Sequence, residues 1–135
     1  MKLRRGIKEL LEEAESVVTP VPADEALARH GSSDVTFVDL RDVRELDREG
    51  MIPEAVHAPR GMLEFWVDPE SPYHKEVFAR DDTTFLLYCQ SGWRSALAAK
   101  TLHEMGMDNV EHLSGGFQAW REAGGPIVER PRRKG

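Results

Sequence analysis

The sequence predicts an α/β fold: a central, mostly parallel sheet with helices on both faces. Three observations carry this. Short β-rich runs alternate with helical patterns along the whole chain, and that alternation is the signature of strands joined by crossover helices. The runs Val35-Thr36-Phe37-Val38 and Phe85-Leu86-Leu87-Tyr88 are almost wholly apolar, as strands buried on both faces must be. Turn-forming glycine and proline clusters separate the segments.

In order, Ile7, Leu10, Leu11, Ala14, Val17 and Val18 recur at helical spacing among charged residues, which predicts an amphipathic first helix. Its apolar stripe is expected to pack on the domain, and a dimer or partner helix is the alternative. Thr19-Pro20-Val21-Pro22 is expected to break that helix, because neither proline can donate a backbone hydrogen bond. A short helix over 23–29, a turn at 31–34 and a strand over 35–38 follow. Residues 42–49 form one or two helical turns. A proline-bracketed segment then holds a short strand at 55–57. Helical stretches are expected over 61–66 and 73–79, a strand over 85–88 and an alanine-rich helix over 96–105. A strand over 110–113 and a last helix over 117–123 complete the chain. The organisation expected is a helix at 1–17, one domain over 18–128 and a frayed basic tail at 129–135.

The chain has 135 residues, is 40% hydrophobic and 31% charged, and so reads as one globular domain with a real core. Its 18 basic and 24 acidic residues give a net charge of −6, and the basic footprint of a nucleic-acid binder is missing. Acidic residues interrupt the segment after the basic N-terminus, and no apolar run reaches membrane-spanning length, so neither a signal peptide nor a membrane partner is expected. A single cysteine excludes an intrachain disulfide and points to a reducing, cytoplasmic setting. The five histidines lack metal-ligand spacing, and no nucleotide-binding fingerprint is present, so no metal and no cofactor is expected.

The candidate site is Cys89-Gln90-Ser91-Gly92-Trp93-Arg94-Ser95, placed between a strand and a helix N-terminus. A free thiol with a pKa of ~8.5 is only a few per cent thiolate at pH 7, so a nucleophile needs help. Helix N–H groups, a curled loop permitted by Gly92, and the Arg94 guanidinium would each favour an anion here. Ser95 would cap the helix or donate to the sulfur. Trp93 either shapes the entrance or shields the helix. Four residues separate Cys89 from Arg94.

Cys-Gln-Ser-Gly-Trp-Arg-Ser resembles the Cys-x-x-Gly-x-Arg-Ser loop of the rhodanese family. Val38-Asp39-Leu40-Arg41-Asp42 resembles its Asp-x-Arg signature, and Gly50-Met51-Ile52-Pro53-Glu54-Ala55 its Gly-His-Ile-Pro-Gly-Ala. Leu113-Ser114-Gly115-Gly116-Phe117-Gln118-Ala119-Trp120 resembles its closing Gly-Gly-x-x-x-Trp. The four motifs run in the family's order. The resemblance implies a three-layer rhodanese domain and a sulfurtransferase. Cys89 would take sulfur from a small anionic donor, thiosulfate or another persulfide source, and pass it to a thiol, cyanide or a protein acceptor. It also implies that the backbone amides of Gln90 to Ser95 cradle the persulfide and that Asp39 and Arg41 brace the loop. Arg60 is a candidate for the pocket rim, and His57 reads as a structural histidine. Neutral Gln90 and Ser91 stand where some thiosulfate-using members carry basic residues, which leaves the donor open. A phosphatase or arsenate-reductase-like enzyme using the same nest, and a non-catalytic regulatory module, are the competing readings. The phosphatase loop of this fold has five residues between cysteine and arginine, one more than here.

Overall fold

The computed structural model describes residues 1–131. Five parallel strands form one sheet in the order β1-β5-β4-β2-β3: β1 Thr19–Val21, β2 Val35–Asp39, β3 Val56–His57, β4 Thr84–Tyr88 and β5 Val110–Leu113. The helices are α1 Ile7–Val17, α2 Ala23–Arg29, α3 Val43–Glu49, α4 Leu63–Val67, α5 Trp93–Glu104 and α6 Gly116–Glu122. Single 3-10 turns precede α4, at Arg60–Met62, and β4, at Glu76–Ala79.

The period of two in the strands divides the core into two layers. Val38, Phe85 and Leu87 point to one face, where they meet Leu63 of α4 and Ala98, Ala99 and Leu102 of α5. Val35, Phe37, Leu86 and Tyr88 point to the other, against Ala26 of α2 and Phe117 and Trp120 of α6. Both faces are therefore apolar, which is why these strands read as unbroken hydrophobic runs. Small alanines on α5 let that helix lie close to the sheet. On the opposite face the fully buried Trp120 makes edge contacts with His30 and Phe37 and donates from Nε1 to the Pro126 carbonyl at 2.9 Å.

Four local expectations change. Thr19–Val21 does more than end the first helix: it pairs with β5 as the edge strand β1. Pro20 is tolerated because an edge strand needs no ladder bond on its outer side. The helix expected over 73–79 contracts to the 3-10 turn at Glu76–Ala79, which buries Phe78 while Tyr73 stays exposed after Pro72. The helix after Cys89 begins at Trp93, two residues before Ser95. The start of the expected tail is pinned: just before it Met51 and Val128 form an antiparallel bridge, and within it Arg130 Nε lies 2.8 Å from Asp47 Oδ1. The rest of that tail, residues 132–135, lies outside the described residues.

α1 packs along α5, with Ala14 fully buried and Lys100 Nζ 3.0 Å from Glu13 Oε1. The expected stripe is only partly covered. Ala14 and Val18 are buried, whereas Ile7, Leu10 and Val17 remain exposed. Among the described residues no helix is long and apolar enough to cross a membrane.

Trp120 fills the layer between the sheet and α6. Trp120→Ala is expected to cost about 3–5 kcal/mol of stability, read as a lower midpoint in urea unfolding.

Candidate functional site

The carboxyl ends of β2, β4 and β5 lie side by side at one edge of the sheet, and each is followed by one of the motifs. Asp39 ends β2 and Arg41 follows it, Cys89 follows the central β4, and Ser114 to Gly116 follow β5. In open parallel sheets this crevice is where sites form.

The Cys89 thiol is 1% exposed and sits under its own loop. The Gly92 N–H points at Sγ from 3.2 Å, and the Ser95 hydroxyl lies 3.7 Å away. Gly92 is the N-cap of the twelve-residue α5, with φ +103° and no side-chain cap, so the helix begins on the sulfur rather than on a hydroxyl. Its partial positive charge falls there too. A Cβ at Gly92 would come within 3.3 Å of the Gly115 nitrogen, in a conformation L side chains rarely adopt.

The loop rests on α6. Phe117 N–H donates to the Cys89 carbonyl at 2.8 Å, and Gln118 N–H to the Gln90 carbonyl at 3.2 Å. Gly116, at φ +63°, makes this approach possible. A Cβ there would lie 2.6 Å from the carbonyl oxygens of Cys89 and Gln90, which is backbone that cannot swing aside. The Gly-Gly pair thus does more than turn the chain.

Asp39 and Arg41 form a fully buried ion pair at 2.8 Å. Asp39 also accepts from the Arg41 backbone N–H and Nε, at 3.0 and 3.1 Å. Arg41 spends its other donors on the Gly50 carbonyl and on Gln90 Oε1, at 2.7 and 3.1 Å, and its guanidinium lies 4.2 Å from the Phe117 ring centroid. Burial opposes the Arg41 charge, but the Asp39 hydrogen bonds and charge outweigh it and raise its pKa. Burial pushes the Tyr88 phenol far up, with the Asp39 charge adding to it, so Tyr88 stays neutral while its oxygen accepts from Ile52 N–H at 3.1 Å.

The Gln90 side chain turns sideways, away from the sulfur. It bridges Arg41 and Glu49, accepting from the first and donating to Glu49 Oε1 at 3.2 Å. Glu49 is in turn held by Arg121, which lowers its pKa. Arg94, expected to offer its fork to an oxyanion, is gripped by Glu45 through two bonds of 2.9 and 2.8 Å. The guanidinium hydrogen bonds hold the Glu45 carboxyl below its ordinary range, and Arg94 is raised in return, with a further favourable interaction toward Cys89. Ser91 is exposed at the loop crest. Trp93 is 60% exposed and lines an open apolar groove of ≈ 480 Å³ with Ile7 and Leu11 of α1. Arg60 pairs with Glu64 at 2.7 Å at the head of α4 and makes no hydrogen bond to the Cys89 loop among the described residues. His57 Nε2 donates to the Arg41 carbonyl at 2.7 Å, a structural role. Among the described residues no cluster of His, Cys, Asp and Glu is arranged to hold a metal.

Sequence reasoning missed Glu45, His112 and Glu15. Glu45 was readable, because Asp42-x-x-Glu45 is a capping-box pattern, and Glu45 Oε2 does accept from the Asp42 N–H at 2.8 Å. The same oxygen then reaches Arg94. His112 and Glu15 are far apart in the chain and meet only through the packing of α1 beside β5.

The rhodanese-like domain family matches residues 22–123, and the chain belongs to it. A sulfurtransferase from Allochromatium vinosum is 35% identical over 97 residues, which cover 72% of this chain and 81% of that protein. An uncharacterized Synechocystis protein is 46% identical over 95 residues, covering 70% of this chain, which spans about half (48%) of that relative's length. A solved structure from Rhodopseudomonas palustris, of a protein of unknown function described as a possible tyrosine phosphatase, superposes with a TM-score of 0.92. It is 52% identical and covers 95% of this chain and 98% of that one. A rhodanese-related protein from Thermoplasma volcanium superposes at 0.67 with 26% identity, covering 83% of this chain and 99% of that one. Membership of this family, with a relative named as a sulfurtransferase, supports sulfur transfer as the general class of chemistry.

Two outcomes follow for the loop's supports. Asp39→Asn leaves Arg41 buried without its counter-charge and is expected to cost about 3–5 kcal/mol in chemical unfolding. Gly116→Ala, placed against the Cys89 and Gln90 carbonyls, is expected to lower the melting temperature, read by thermal unfolding.

Proposed function

We propose that the protein is a sulfurtransferase in which Cys89 carries sulfane sulfur as a persulfide. The observation that carries this reading is the size and furnishing of the loop around Sγ. Four residues separate Cys89 from Arg94, and the Gly92 N–H and the Ser95 hydroxyl stand close around a single sulfur atom. Cys89 thiolate attacks the outer sulfur of the donor. A new S–S bond forms, the donor's own bond to that sulfur breaks, and the electron pair leaves with the donor. A thiol or cyanide then takes the terminal sulfur and returns Cys89 as thiolate. Arg94, held by Glu45 yet close to Cys89, favours the anionic states of this cycle. Asp39, Arg41 and Gln90 keep the loop backbone in place while the charge on sulfur changes. Ser91 and Trp93, exposed at the loop, meet the donor or a protein acceptor first.

The likeness to the Rhodopseudomonas protein makes a phosphatase the second reading. The loop argues against it in two ways. It is one residue shorter than the phosphatase loop of this fold, and the guanidinium fork that would grasp a phosphoryl group is already engaged by Glu45.

The test is intact-mass spectrometry after exposure to thiosulfate, mercaptopyruvate and a low-molecular-weight persulfide. One added sulfur is expected, removable by cyanide and lost in Cys89→Ser. No uptake from any donor, together with aryl-phosphate hydrolysis that Cys89→Ser abolishes, would reverse the assignment in favour of the phosphatase.

A further inference from the structure

The face of the loop turned away from Arg94 holds a second line of polar groups. Ser95 is fully buried at the start of α5, with Cys89 Sγ 3.7 Å from its oxygen. The same oxygen lies 3.2 Å from His112 Nδ1 and 3.2 Å from the Gly92 carbonyl. His112 is 2% exposed, at the penultimate position of β5. Its Nε2 makes no well-formed hydrogen bond, the one such buried side-chain atom among the described residues. That orphan points out of the domain toward α1, where Glu15 Oε1 lies 3.5 Å away. Glu15 is half exposed and borders the groove beside Trp93. A buried polar atom without a close hydrogen bond is costly, and the Glu15 carboxylate is the group placed to meet this one.

The geometry points to a proton relay, Cys89–Ser95–His112–Glu15, in which the helix α1 supplies the terminal carboxylate. It rests on the reading of Cys89 as a nucleophile and adds positioning residues, His112 and Glu15, that act through Ser95. When the thiol ionises, the S–H bond breaks and its proton joins the Ser95 oxygen. The Ser95 hydroxyl, which at rest donates to the Gly92 carbonyl, turns its own proton from that carbonyl to His112 Nδ1, and the electron pair of the S–H bond stays on sulfur. The imidazolium so formed carries its Nε2–H toward Glu15, whose charge compensates it. The reverse transfers quench the thiolate.

His112 must be neutral to accept the proton. Burial lowers its pKa, with Glu15 opposing, so the neutral form holds at pH 7. The charged groups around the line come from every packed element. Arg94 of α5, neutralised by Glu45 of α3, faces Cys89. Glu15 of α1 faces His112, and its neighbour Glu13 is tied to Lys100 of α5 and Arg5. Glu111, next to His112 on β5, is paired with Arg29 of α2. The adjoining strands present Pro20 and Leu87 beside His112, neither of which titrates. Glu15 is therefore the carboxylate that meets His112. It lies before residue 22, outside the segment that matches the family, so the relay is a property of this chain's N-terminal helix.

The test is the rate of Cys89 alkylation by iodoacetamide from pH 5 to 9 in the full-length protein, with Glu15→Gln and His112→Asn. Asparagine can keep a hydrogen bond to Ser95 but cannot accept a proton, so a merely structural histidine would leave the profile unchanged. The relay predicts a loss of at least about tenfold at pH 7 in His112→Asn, and a smaller, severalfold loss in Glu15→Gln. It also predicts that the extra steepness of the wild-type profile below His112's ordinary value of 6.5 vanishes in His112→Asn. If His112→Asn does not fold, Glu15→Gln decides the matter alone, since Glu15 is half exposed. A wild-type profile in Glu15→Gln overturns the relay. Sulfur uptake by the wild-type protein is measured separately. Its absence would reject the carrier and leave the relay standing, whereas normal uptake with unchanged alkylation in both variants would reject the relay alone.

Discussion

The carbonyl oxygens of Cys89 and Gln90 accept hydrogen bonds from the N–H groups of Phe117 and Gln118, and the candidate site depends on that pair of contacts. They tie a loop leaving the central strand to a helix that follows the neighbouring strand. Two backbones approach so closely that only glycine fits at position 116. With the loop's carbonyls turned down onto α6, the Gly92 N–H is left to turn toward sulfur. The thiol's surroundings are thus set by main chain, which does not change with side-chain rotamers, and the negative charge expected there meets fixed dipoles.

Beneath this lies a polar hub inside an apolar layer. Arg41 is completely buried, yet its charge is met by Asp39, the Gly50 carbonyl, Gln90 and the face of Phe117. A buried ion pair is not in itself a stabilising device, because desolvation offsets most of the attraction. Its use here is positional. One guanidinium links the ends of β2 and β4 to the turn at Gly50 and the first turn of α6, and Gln90 extends the link to Glu49 and Arg121. A loop so braced can carry a change of charge on its cysteine without moving.

The N-terminal helix belongs to the same picture. It reaches the domain through Ala14, the Glu13–Lys100 pair and the approach of Glu15 to His112. With Ile7 and Leu11 it also forms one wall of the groove that Trp93 completes. A segment outside the family match therefore borders both the open and the buried sides of the Cys89 loop.

Much of this was legible in the chain. The apolar runs at 35–38 and 85–88 fixed two central strands, because burial on both faces removes polar residues from them. The order of Asp39, Arg41, Cys89, Arg94 and the Gly115-Gly116 pair marked the loop and its supports. The edge strand at Thr19–Val21 was hidden, since a proline-rich triplet owes its extended state to β5 rather than to its own propensities. The roles of Gln90 and Arg94 were hidden for a related reason: a side chain's type gives its donors and acceptors, but its partners depend on which strangers in sequence arrive beside it. By itself the sequence determined the parallel α/β fold, the single thiol and its place between strand and helix, through local periodicity and turn chemistry. Only the tertiary structure decided that Arg94 is clamped by Glu45, that Gln90 serves the brace, and that His112 stands between Ser95 and Glu15. Each of those contacts joins residues separated by many positions, and no local pattern encodes them.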